Sequence, residues 1–319
     1  MSESGKGLSI SLLPLARRRM NGVKTVSSGA VNRTISQTEF QERMRQYQQE
    51  ASTGELNMLK VVRGLWKSEG FATTFGKFRL PENTLNDPRI PRESLGIAHV
   101  GYGAASTEFT HFDTGKLREI VETKSNPNYQ GFTYEGSGSA LRIYEPGIFK
   151  TMCGLLGLIP RNAPPGPDKT GFFAKFFAAY PPEVQRLITH GYGRLIAFST
   201  ISIYKAIDEA CTLPEKHVYP AVQGIAFAFA MMNSQEMPRL LENSAIEYPA
   251  QIRAAFQDGL IYGLMFCEWF VPGFLSTWKY QGKLEEKLVE RARSEAALSL
   301  KRGHILPFAL EQSMAKGAA

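Results

Sequence analysis

An internal repeat is clearest in residues 214–231, which read PEKHVYPAVQGIAFAFAM. Pro214 precedes Gly224 by ten residues, and strongly apolar sequence follows the glycine. The same offset separates two further pairs, Pro181 with Gly191 and Pro249 with Gly259. The three glycines are 33 and 35 residues apart, and a period of that size is typical of helical repeats. The sequence therefore predicts stacked repeat units.

Each repeat unit has the features of a pair of helices. A proline suits the first turn of a helix, because the N–H that it lacks would have no partner there and its φ is already helical. A glycine within an apolar helix costs roughly 1 kcal/mol, and close packing against a neighbouring helix is the usual compensation. The predicted fold is all-α, with stacked helical hairpins of the tetratricopeptide or Sel1-like solenoid type over residues 81–319.

The basic charge of the chain is confined to its N-terminal part. The whole chain has 37 Lys and Arg against 30 Asp and Glu, for a net charge of +7. Residues 1–80 contain 13 basic and 6 acidic residues, so they carry the whole excess, and residues 81–319 are neutral. We therefore predict a basic N-terminal arm and a polar helix over residues 1–80, with Ser36 and Glu39 as a capping box. No nucleic-acid partner is expected.

Composition and motifs argue against several classes of site. Three separated cysteines form neither a disulfide framework nor a CxxC motif, so a reducing cytoplasm is the expected location. No HExxH or P-loop pattern occurs, and we predict neither a metal nor a cofactor. Residues 259–278 are long enough for a membrane span, but the central Glu268 and Pro272 favour a buried hairpin. Contact of residues 8–19 with a membrane surface is an alternative role for the basic arm.

The residue before each repeat glycine is polar in most units. These residues are Glu135, His190, Gln223, Asp258 and Arg302, with Val100 as the exception. Equivalent positions of a solenoid line one surface, and four aromatic residues accompany them: Tyr134, Tyr192, Phe227 and Tyr262. One interpretation is a groove for a ligand or partner, and the other is a set of hydrogen bonds between helices. Glu135, His190 and Asp258 are the catalytic candidates if the protein is an enzyme.

Several segments resemble a bacterial family of unknown function whose members are often labelled enediyne biosynthesis proteins. Residues 131–136, GFTYEG, continued by residues 139–141, are similar to the family's Gly-Phe-Ala-Tyr-Glu-Gly-Ala stretch. Residues 187–193, LITHGYG, are similar to a family segment that has Asp where His190 stands, so a role of that acid does not carry over. The resemblance covers roughly residues 70–315. It implies an α-helical protein of natural-product gene clusters, with no established reaction.

These observations lead to two functional hypotheses. We expect a non-catalytic helical-repeat accessory protein that binds a partner protein or an apolar intermediate in natural-product biosynthesis of the enediyne or polyketide type. The repeat and the lack of a catalytic motif motivate this expectation. The alternative is an enzyme that acts on a polyketide-derived polyene with acid and base residues in the repeat groove. The identity of the partner or ligand and the possibility of self-association stay open.

Overall fold

The protein is all-helical over the part of the chain that the computed structural model describes. This part comprises residues 35–78, 85, 87–155, 159, 175–200, 202–233 and 248–302. At residues 77, 78, 148, 152, 233 and 300–302 it includes the backbone alone. Within these ranges no strand occurs, and the prediction of an all-α fold is confirmed. The predicted membrane-contact segment 8–19 lies outside the described residues.

Eleven α-helices occur in the described residues. The first four are α1 (Gln37–Ser52), α2 (Met58–Phe78), α3 (Arg92–Phe109) and α4 (Thr114–Lys124). The next four are α5 (Gln130–Tyr144), α6 (Ile148–Leu155), α7 (Pro182–Ser199) and α8 (Ile203–Cys211). The last three are α9 (Glu215–Asn233), α10 (Ala250–Phe270) and α11 (Lys283–Arg302). Long and short helices therefore alternate from α3 to α8.

The starts of the helices agree with the sequence signals. Ser36 caps α1, and its hydroxyl accepts a hydrogen bond from the backbone N–H of Glu39 at 3.1 Å. The repeat prolines Pro181 and Pro249 are the N-cap residues of α7 and α10, and Pro91 has the same place before α3. The prediction that repeat prolines begin helices is confirmed at these positions.

The long helices pack on one another in chain order, from α2 through α3, α5, α7 and α9 to α10. Neighbouring backbones touch at the repeat glycines. A Cβ on Gly191 would lie 1.7 Å from the carbonyl oxygen of Glu135, so only glycine fits there. Four other glycines pack in the same way against a carbonyl oxygen of the preceding long helix. In each case that carbonyl belongs to the residue just before the preceding helix's own repeat glycine. The pairs are Gly101 with Glu69, Gly136 with Val100, Gly224 with His190 and Gly259 with Gln223. The close packing expected at these glycines is confirmed.

Helix α10 also crosses back onto earlier helices and contacts α2 and α3. Phe266 and Trp269 of α10 make edge-to-face contacts with Phe132 of α5, with ring centroids 5.5 and 6.3 Å apart. Helices α1 and α2, from the predicted N-terminal segment, belong to the same hydrophobic core. The inner side of the array is therefore filled by the protein's own aromatic side chains.

The apolar stretch at residues 259–278 is divided between α10 and a turn. Helix α10 ends at Phe270, and Gly273, with φ of +85°, precedes a 3₁₀ turn over Phe274–Thr277. The Glu268 carboxylate accepts hydrogen bonds from the backbone N–H groups of Gly273 and Leu275 at 2.8 and 2.7 Å. None of the helices in the described ranges is long and apolar enough to cross a membrane.

A buried neutral histidine connects α3 to the segment before α5. Nδ1 of His99 lies 2.7 Å from the carbonyl oxygen of Leu95, and Nε2 lies 3.2 Å from the backbone N–H of Asn126. Because the peptide N–H can only donate, Nε2 is the acceptor and Nδ1 carries the hydrogen. Burial lowers the pKa of His99 to about 4, against a weaker opposing effect of the hydrogen bond to Leu95.

We expect His99 to make the protein less stable in mild acid. The unfolded chain binds a proton at this group near pH 6.5 and the folded protein only near pH 4, so the free energy of unfolding falls as the pH drops between these values. The loss is about 1.6 kcal/mol between pH 6.5 and 5. Urea unfolding at both pH values measures it, and the loss should be smaller in His99→Gln. An equal loss in that variant would contradict the assignment.

Candidate functional site

A buried polar cluster lies where α2, α5, α7 and α10 meet. It unites three of the residues singled out in the sequence, Glu135, His190 and Tyr262, with two that sequence analysis missed, Glu69 and Arg194. Phe227 of α9 packs against it. We call these six residues the central cluster. All of them are buried, so they face one another inside the helix array.

Arg194 is the cation that joins three helices in the central cluster. Its Nη2 atom donates to both carboxylate oxygens of Glu69, at 3.0 and 3.1 Å, and its Nη1 atom donates to Glu135 Oε1 at 3.1 Å. The guanidinium carbon lies 4.9 Å from the centre of the Phe227 ring, a cation–π distance. Burial disfavours the charged form, but the two carboxylates outweigh it and raise the pKa of Arg194.

Glu135 lies against three other side chains of the central cluster. Besides its contact with Arg194, the Oε1 atom of Glu135 lies 3.3 Å from Nδ1 of His190. The carboxylate also accepts a hydrogen bond from the Tyr262 hydroxyl at 3.2 Å. Burial by itself raises the pKa of Glu135, but His190 and Arg194 outweigh burial and hold that pKa below its ordinary value. Burial and the adjacent Glu135 carboxylate raise the pKa of Tyr262 well above its ordinary value, so this hydroxyl stays protonated and donates.

His190 lies between the Glu135 carboxylate and the aromatic rings of Phe227 and Tyr262. Its ring makes edge-to-face contacts with Phe227 and Tyr262, with centroids 5.5 and 5.1 Å away. Nδ1 faces Glu135 at an ion-pair distance without the alignment of a hydrogen bond, and Nε2 has no hydrogen-bond partner among the described residues. A carboxylate behind one nitrogen and an unused second nitrogen is the arrangement of an oriented general base.

The remaining predicted residues make their contacts elsewhere. Asp258 accepts from the Tyr219 hydroxyl at 2.8 Å and lies 3.3 Å from Arg291 of α11. Tyr134 packs on Tyr180 at 5.6 Å, and Tyr192 donates to Glu145 at 2.5 Å. Gln223 is buried, with a side-chain nitrogen that has no hydrogen-bond partner in the described ranges. For Arg302 the structure describes the backbone alone. The three catalytic candidates are therefore not assembled into one group.

The two missed residues have recognisable positions in the sequence. Glu69 precedes Gly70, just as Glu135 precedes Gly136, and its carbonyl meets Gly101 in the common packing pattern. Ten residues before Gly70 the chain has Lys60, where other units have proline. This unit therefore lacks the proline–glycine pair that marks the repeat in the sequence. Arg194 lies one helical turn after His190, on the same face of α7.

The acids and the histidine of the central cluster are not arranged as metal ligands. Among the described residues, no group of three or more His, Cys, Asp and Glu side chains is arranged to hold a metal ion. The chemistry of the cluster is that of a buried ion-pair network. Two carboxylates share one guanidinium, with a phenol and an imidazole as further partners. Separating the helices would leave the guanidinium or the carboxylates buried without a partner, which is costly. The ion pairs therefore hold these helices together.

Comparisons of the chain with protein-family models, with curated proteins and with solved structures find no match. The resemblance of residues 131–141 and 187–193 to the enediyne-associated family therefore stays a prediction.

Proposed function

We propose that this protein is a non-catalytic helical-repeat accessory protein that binds a partner protein or an apolar intermediate. The observation that carries this proposal is the mutual pairing of the central cluster. Arg194 and the catalytic candidate Glu135 are buried and engaged with each other and with Glu69 and Tyr262. Such side chains stabilise the array and leave recognition to its surface.

Three further parts of the proposal rest on separate observations. The stacked-hairpin, solenoid-like arrangement is supported by the chain-order packing of the long helices. A place in natural-product biosynthesis of the enediyne or polyketide type is supported only by the family resemblance of residues 131–141 and 187–193. A cytoplasmic location is supported by the three cysteines, all of which are free thiols.

Apolar side chains suited to a partner are exposed at the ends of α3 and α6. Phe109, the last residue of α3, is 56% exposed, and Leu155, the last residue of α6, is 66% exposed. A small second apolar cluster contains Tyr144 and Cys153, and Cys153 belongs to the same helix as Leu155. His111 and Phe112, which follow α3, have positive φ values of 50° and 64°, a costly conformation for residues other than glycine. The chain thus turns sharply just after Phe109.

Native mass spectrometry and a polyene probe test the proposed function. We expect the full-length protein to bind a conjugated polyene fatty acid saturably, or to purify with a bound apolar molecule or protein. Replacing Phe109 and Leu155 together with serine should weaken this binding at least tenfold. Leu284→Ser, which changes an apolar residue of α11 that is 49% exposed, is the matched control and should leave the binding unchanged. Conversion of the polyene by the protein alone would contradict a non-catalytic role.

A second candidate function is favoured by the geometry of His190. With Glu135 Oε1 3.3 Å from Nδ1 and no hydrogen-bond partner on Nε2 among the described residues, Glu135 and His190 form a candidate acid–base pair. On this alternative the protein is an enzyme acting on a polyketide-derived polyene, and Asp258, held by Tyr219 and Arg291, is not part of the pair. Turnover by the wild type that is lost in His190→Gln but kept in Asp258→Asn would support it.

A further inference from the structure

Besides His190 Nδ1, which faces the Glu135 carboxylate, three buried nitrogen atoms of the central cluster and of the adjoining Gln223 lack hydrogen-bond partners in the described part of the chain. They are Nε2 of His190, Nε of Arg194 and the side-chain amide nitrogen of Gln223, none of which has a partner among the described residues. Each of these residues is at most 2% exposed. Buried polar groups in folded proteins are nearly always satisfied, by protein or by an ordered small molecule. Three such atoms close together therefore indicate something that they bind.

The three atoms belong to two helices that are in backbone contact. His190 and Arg194 are one turn apart on α7, and Gln223 is one turn before Phe227 on α9. A Cβ on Gly224 would lie 1.9 Å from the carbonyl oxygen of His190, so α7 and α9 touch beside Gln223. Phe227 in turn lies under Arg194 and against His190. The unsatisfied nitrogens thus share one small region of the interior.

The chemistry of these nitrogens selects a hydroxyl-type oxygen. The side-chain amide nitrogen of Gln223 and Nε of Arg194 can only donate hydrogen bonds. His190 Nδ1 faces the Glu135 carboxylate and therefore carries a hydrogen, which leaves a lone pair on Nε2 when the ring is neutral. The occupant must then accept from the amide and donate to the imidazole. A water molecule and an alcohol group can do both, whereas a carboxylate or a ketone can only accept.

The repeat supports a binding role for the Gln223 amide. The equivalent position in α3 is Val100, which is fully buried and packs its carbonyl against Gly136 as Gln223 packs against Gly259. An apolar side chain therefore satisfies the packing of this position. The polar amide needs a separate explanation, and a bound oxygen supplies one.

We propose that the interior of the helix array binds one hydroxyl-type oxygen, of a water molecule or of an alcohol group on a small molecule, between His190 Nε2 and the Gln223 side-chain amide. Arg194 Nε is a third donor at the edge of this site. The site is independent of the surface proposed for partner binding, because its residues are all buried.

A crystal structure of the full-length wild-type protein at about 1.5 Å resolution tests the proposal directly. We expect electron density for an oxygen within hydrogen-bond distance of His190 Nε2 and the Gln223 amide, as is usual for buried polar sites. Mass spectrometry of the same sample under native conditions separates the two sources. A mass above that of the chain identifies an alcohol ligand, and the mass of the chain alone identifies water. Absence of density at both nitrogens would overturn the proposal.

The variant Gln223→Met provides an independent test in solution. If the amide binds an oxygen, its removal should lower Tm by about 2 °C or more. Gln41→Met is the matched control, because the buried Gln41 amide donates to Asp87 at 2.6 Å and its loss should lower Tm in the same way. A Gln223→Met protein as stable as the wild type, or more stable, would show that the amide has no partner and would overturn the proposal.

Discussion

Replacing Gly191 with alanine is expected to prevent stable folding of the protein. The added Cβ would lie 1.7 Å from the carbonyl oxygen of Glu135 and 3.2 Å from the backbone N of Ser139. Both atoms belong to the backbone of α5, so no side chain can move aside, and α5 and α7 would have to separate. We expect a loss of about 4 kcal/mol or more in the free energy of unfolding. Thermal unfolding followed by circular dichroism measures it.

Gly282→Ala is the matched control for this prediction. Gly282 precedes α11, and a Cβ there would meet no atom within 4 Å. The control should stay within about 0.5 kcal/mol of the wild type. A Gly191→Ala protein with an unchanged Tm would mean that the helices are not held at the distance described.

Replacing Arg194 with methionine is expected to have the second largest effect. The substitution keeps an apolar stem over Phe227 but leaves the carboxylates of Glu69 and Glu135 buried without their guanidinium. Breaking a buried ion pair in this way costs about 3–5 kcal/mol, because the remaining charge is desolvated and has no partner. Urea unfolding at pH 7 measures the loss.

Two further variants separate charge from packing. Arg293→Met removes an exposed partner of Glu290 and should change stability by less than about 1 kcal/mol. Adding Glu69→Gln and Glu135→Gln to Arg194→Met removes the uncompensated charges and should recover part of the lost stability. A triple variant no more stable than Arg194→Met would assign the loss to packing on Phe227 instead.

Local patterns in the sequence predict much of the fold. Pro181 and Gly191 mark the start of α7 and its closest contact, because a proline at a helix start and a glycine at a helix crossing are dictated by backbone chemistry. These features depend on a few neighbouring residues, which is why sequence alone contains them.

The composition of the central cluster could not be predicted in the same way. Arg194 is 125 residues from Glu69, and Tyr262 is 127 residues from Glu135. These contacts depend on how α7 meets α2 and how α10 meets α5, which no local period specifies. The equivalent residue Asp258 joins Arg291 of α11 instead, since its helix has a different neighbour. Whether equivalent positions line a groove or fill an interior is likewise a property of the whole array.

The position of Arg194 in the chain has a consequence for synthesis on the ribosome. A nascent chain that ends before residue 194 contains both Glu69 and Glu135 but not the guanidinium that neutralises them. Its first helices can form, yet burying these acids would leave two desolvated charges unpaired. We therefore expect the growing chain to stay loosely packed until α7 emerges and to complete folding only after α10 has followed. Unlike repeat proteins whose units add one at a time, this chain should fold as a single cooperative unit.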